Sequence, residues 1–79
     1  MLTRAEVIEL IREALEVQAI SEESSSDSIE EWDSLGHLSI LTALDDATNG
    51  QVADLKELAK AYSVKRILAL LDGKSLLSK

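Results

Sequence analysis

The chain has 79 residues, a net charge of −7, no cysteine, no proline and a single histidine, His37. That length allows one small domain, burying only about 60% of the unfolded chain's surface, with little room for a catalytic cleft of its own. Disulfides and thiolate metal sites are excluded, one histidine makes a zinc site a poor fit, and the acidity disfavours nucleic acid and anionic membranes, which draw on clustered Lys and Arg. The acidity suits partners that present basic patches. No apolar run approaches the roughly 18 residues of a membrane span, and Met1 to Ile20 has no signal-peptide pattern. The expectation is a cytoplasmic monomer.

Thr3 followed by Glu6 reads as a capping box, and Val7, Ile8, Ile11, Ala14 and Leu15 recur at helical spacing. The spacing predicts an amphipathic helix over 4–17. Residues 21–28 are polar, without apolar periodicity, and read as a long loop anchored by Ile29 and Trp32. Asp33 and Ser34 open a second helix running to about Asn49, where Asn-Gly is a common stop. Val52 to Ala61 reads as a short third helix capped by Asp54. Ser63 caps a fourth, with Val64, Ile67, Leu68 and Leu71 as its apolar face. The tail from about residue 73 is expected to fray. The prediction is an all-α single domain over 1–79, a four-helix bundle with a long first loop.

The acidic residues are unevenly placed. Glu22, Glu23, Asp27, Glu30, Glu31 and Asp33 crowd into residues 21–33 with no basic residue among them, immediately before Ser34. A serine in the first turn of a helix has an exposed hydroxyl. The unpaired N–H groups and the positive end of the helix dipole favour a phosphate attached there. On these residues alone, however, Asp-Ser is an ordinary helix start.

Further features widen the pattern: the Asp33-Ser34-Leu35 tripeptide, Ala43-Leu44-Asp45-Asp46 one helix-length on, the closing Ser63-Val64-Lys65-Arg66-Ile67-Leu68, and the overall size and acidity. Over nearly its whole length the chain resembles the acyl carrier protein family. The resemblance implies that Ser34, within the motif Asp33, Ser34 and Leu35, carries a covalent 4′-phosphopantetheine arm. In that family a separate phosphopantetheinyl transferase supplies the arm from coenzyme A. The implied function is a carrier, not an enzyme, that holds acyl or aminoacyl intermediates as thioesters. Its implied partners are an acyl- or aminoacyl-loading enzyme and downstream biosynthetic enzymes.

At about 100° per residue, Ile40, Leu41, Leu44 and Ala47 fall on one side of the second helix, with His37 at that side's edge. These form the expected core face. Leu35, Leu38, Ser39, Thr42, Asp45 and Asp46 fall opposite, and the resemblance makes that side the partner-binding surface. The chain also departs from the family. Gly36 and Ser39 stand where fatty-acid carriers have acidic residues, Thr48 where they have an aromatic, and Val52-Ala53 where they have an Ile-Pro-like pair. These departures count against a housekeeping fatty-acid role and a deep acyl pocket and suggest a dedicated carrier serving a specialised pathway.

Two other readings compete. Asp33, Ser34 and His37 suggest a catalytic triad, but all three lie within one helical turn, whereas a working triad needs a base oriented by a group from elsewhere. No Gly-x-Ser-x-Gly elbow is present. The alternative function is an unmodified acidic helical interaction module anchored by Leu35 and Leu38.

Overall fold

A computed structural model describes residues 2–78. Among them the regular structure is all-helical: α1 (Arg4–Leu15), α2 (Ser34–Ala47), a 3-10 helix (Lys56–Lys60) and α3 (Val64–Gly73). The capping box forms at both of its hydrogen bonds, Glu6 N–H donating to Thr3 Oγ1 at 3.1 Å and Thr3 N–H to Glu6 Oε1 at 2.9 Å. α1 stops two residues short of the expected end because Glu16 turns left-handed, at φ 57°. α2 ends at Ala47, and left-handed Asn49 and Gly50, φ 53° and 81°, reverse the chain. Ser63 caps α3 through the Arg66 N–H, as expected.

The expected third α-helix is not there, so the described residues form three α-helices and one 3-10 helix rather than four α-helices. Two causes are visible. Asp54 is not a cap: its carboxylate is held by Lys74 Nζ at 3.0 Å, and Leu55 precedes the 3-10 helix without any side-chain cap. The buried residues of this stretch, Val52, Leu58 and Ala61, also lack the spacing of an α-helical stripe.

α1 packs on both α2 and α3, and the 3-10 helix packs on the same two from the other side. Val7, Ile11 and Leu15 from α1 meet Ile40 and Leu44 from α2 and Val64, Ile67, Leu68 and Leu71 from α3 in one core. Trp32 joins it, and Ile29 packs half-buried against it, so both act as the expected loop anchors. The loop is also tied to the start of α3, with Ser26 N–H bonded to Tyr62 O at 2.9 Å and Val64 N–H to Ser24 O at 3.0 Å. The tail, expected to fray, instead packs: Leu77 is buried, and Leu2 and Leu77 form a parallel bridge through the bonds Leu2 N–Leu76 O and Ser78 N–Leu2 O. Among the described residues no helix is long and apolar enough to cross a membrane.

Candidate functional site

The start of α2 is built from the cap outward. Asp33 Oδ1 accepts from Gly36 N–H at 2.9 Å, and the Asp33 carbonyl accepts from His37 N–H at 2.8 Å. An N-cap of this kind is worth about 0.5–2 kcal/mol. Ser34 is the first residue of α2, and Asp33, Ser34 and Leu35 are all exposed. Among the described residues the N–H groups of Ser34 and Leu35 have no hydrogen-bond partner, so the first turn keeps two donors that could meet an anionic group on the serine.

Beside Ser34 the helix carries two large exposed leucines, Leu35 at 75% and Leu38 at 59% exposure. Ser39, Thr42, Asp45 and Asp46 lie on the same exposed side, so all six residues expected to form a contact surface are open to solvent. Neither aspartate joins an ion pair among the described residues. The hydroxyls of Ser39 and Thr42 bond back to the carbonyls of Leu35 and Leu38. On the opposite side Ile40 and Leu44 are fully buried. Two of the expected core residues differ: Leu41 is half-buried and Ala47 is exposed.

Leu41, Thr42 and Asp45 form one wall of an open groove of about 390 Å³, and Val52, Leu55 and Lys56 stand on the other. The groove thus runs beside the exposed face of α2, with Asp45 and Lys56 bringing opposite charges to its lining. No cluster of three or more potential metal ligands occurs among the described residues.

Two residues at this helix start have roles that the sequence reading did not assign. Gly36 stood out only as the absence of an acid. In the fold, a Cβ there would lie 2.2 Å from the Glu31 carbonyl oxygen and 2.8 Å from Leu15 Cδ2. Only glycine lets the loop and α1 close on the first turn. His37, expected at the edge of the core face, is buried inside it, at 3% exposure. Trp32 Nε1–H donates to its Nδ1 at 3.0 Å, and its Nε2 pairs with the Leu58 carbonyl at 2.8 Å. Both ring nitrogens are therefore engaged away from Ser34, and the three residues of the supposed triad do not form one. The available signal was a tryptophan five residues before a histidine, since a buried indole N–H needs an acceptor.

No protein-family model, no curated protein and no solved structure matches this chain.

Proposed function

We propose that this protein is a specialised carrier of the acyl carrier type, its three α-helices and 3-10 helix forming that family's small helical bundle. In this reading it holds acyl or aminoacyl intermediates as thioesters on a 4′-phosphopantetheine arm attached to Ser34. The observation that carries the reading is the combination at the start of α2: an exposed serine in a capped first turn with two free N–H donors, flanked by exposed Leu35 and Leu38. The residues fit such a group, since the two donors and the helix dipole favour a phosphodiester at the serine.

Ser34 Oγ forms the new bond to the phosphorus nearest the pantetheine end of coenzyme A. The pyrophosphate P–O bond breaks and releases adenosine 3′,5′-bisphosphate. The serine proton leaves to a base on the transferase, because His37 is buried and both of its ring nitrogens are engaged. When attached, the arm supplies the thiol that this cysteine-free chain lacks. Glu30, Glu31 and Asp33, all exposed, give a basic transferase surface its approach to the serine. Leu35 and Leu38 make the apolar centre of the partner contact, and Asp45 and Asp46 its charged edge.

Incubation with coenzyme A and a broad-specificity phosphopantetheinyl transferase tests the reading by intact mass. One arm is added per chain, and Ser34→Ala takes none. A wild-type chain that stays unmodified overturns the proposal in favour of the acidic interaction module. A Ser34→Ala chain that is still modified overturns the choice of serine.

A further inference from the structure

His37 lies three residues after Ser34, and its ring joins three separate segments. Trp32, just before the cap, donates to Nδ1. Leu58, inside the 3-10 helix, presents its carbonyl to Nε2. The Tyr62 ring packs against the imidazole at a centroid distance of 4.2 Å. The chemistry leaves one arrangement of hydrogens. An indole N–H only donates, so Nδ1 accepts, and a carbonyl only accepts, so Nε2 carries the hydrogen and donates. The ring is satisfied at both ends, within a core whose only other buried polar side chain among the described residues is Thr48.

Packing alone does not require this. An apolar side chain of similar size would fill much of the same volume. The imidazole adds two directional bonds, which tie the entry to α2 and the 3-10 helix to the same point. The Asp33 cap holds the first turn only to itself, through the Gly36 and His37 N–H groups, whereas the two ring bonds fix that turn to the loop before it and to the 3-10 helix.

We infer that His37 is a positioning residue for the reaction at Ser34, holding the first turn of α2 in register with Trp32 and Leu58 so that the hydroxyl is presented at a fixed place. The inference rests on the carrier reading of Ser34.

The test uses the full chain, coenzyme A and a phosphopantetheinyl transferase, at a temperature where circular dichroism finds every variant folded. His37→Leu keeps the bulk and loses both bonds. His37→Gln keeps one acceptor and one donor. Leu71→Ala, in the core of α3, is the control for stability loss alone. The expected result is a fall in kcat/KM for His37→Leu on the order of tenfold or more, as misplacement of a reacting group produces. His37→Gln recovers most of the loss, and Leu71→Ala keeps the wild-type rate. Amide exchange at Gly36 and at position 37, whose N–H groups bond to Asp33, rises about tenfold in His37→Leu while the amides of α1 stay protected.

If His37→Leu loads at the rate of Leu71→Ala, or if first-turn exchange is unchanged, the positioning role is overturned and the Ser34 reading stands. Should His37→Leu fail to fold, His37→Gln decides: loading no faster than tenfold below wild type, with the fold intact, overturns the role of the bonds. A wild-type chain that takes no arm overturns the Ser34 reading, and this inference with it.

Discussion

Replacing Gly36 with alanine sets two opposed effects against each other. Alanine is the better helix former by about 1 kcal/mol in a helix interior, and less than that in a first turn. Against this, the new Cβ would stand 2.2 Å from the Glu31 carbonyl oxygen and 2.8 Å from Leu15 Cδ2. The Leu15 methyl can swing aside. The Glu31 oxygen is backbone, and an ordinary C···O contact lies at about 3.3 Å, so the loop must retreat by roughly 1 Å. Overpacking of this kind costs about 1–3 kcal/mol, and a backbone obstacle puts it at the upper end. The net expectation is a loss of about 2 kcal/mol, which in a domain of this size lowers Tm by about 8–16 °C. Gly73 supplies the contrast, since a Cβ there meets nothing within 4 Å. Gly73→Ala is expected to stabilise by about 0.4–1 kcal/mol. Paired thermal melts by far-UV circular dichroism decide it. A Gly36→Ala chain that melts at or above wild type would refute the close approach of Glu31 to α2, and with it the account of how the loop closes on the helix start.

The two faces of α2 separate docking from folding: Leu44→Ala is expected to cost about 2–5 kcal/mol, as truncation of a fully buried leucine does. Leu38→Ala should change stability by less than about 0.5 kcal/mol while slowing cargo transfer to a partner enzyme. Melts and a loading assay run side by side check this, and the reverse pattern would mean the helix is rotated. The exposed Asp54–Lys74 pair gives the pH prediction, because the Lys74 hydrogen bond holds the Asp54 carboxyl below its ordinary value. A lowered carboxyl stabilises above the unfolded range and loses that contribution as pH falls through the folded value. The small Tm deficit of Asp54→Asn at neutral pH should therefore vanish in acid below the usual carboxylate range; a deficit of equal size at both pH values would contradict it.

Where the signals are local, the fold was legible in the sequence. Thr3 with Glu6, Asp33 before Ser34, and Ser63 before Val64 each mark a helix start by a side chain that bonds an amide within its own first turn. The errors lie where distant residues decide. Asp54 looked like a cap, but Lys74, twenty residues on, takes its carboxylate. The tail looked loose because nothing nearby holds it, yet Leu2 at the other end of the described chain does. Ala47 fell on the core side by angle, but it stays open to solvent beside Leu2 and Leu10, while Thr48 after it turns inward.

The same division applies to the candidate site, and it alters what the departures from the family pattern mean. Gly36 and Thr48 both looked like functional changes. Gly36 is set by the Glu31 carbonyl, which leaves no space for any side chain. Thr48 is buried, and its hydroxyl donates to the Leu44 carbonyl at 2.8 Å, closing the end of α2. Neither residue is free to vary with the partner. Ser39 differs in kind: it is exposed, it lies beside Leu35 and Leu38, and its one hydrogen bond is to its own helix. An acidic side chain there would meet no obstacle from the core, so its absence follows from no packing constraint. In the carrier reading, the partner enzymes would then meet an apolar and hydroxyl-bearing face on α2 itself, where negative charge is held back to Asp45 and Asp46, while Glu30, Glu31 and Asp33 stay on the loop side of Ser34. A charged partner patch matched to this helix would have to lie about one to two helical turns farther from the serine than a contact at Ser39 would allow.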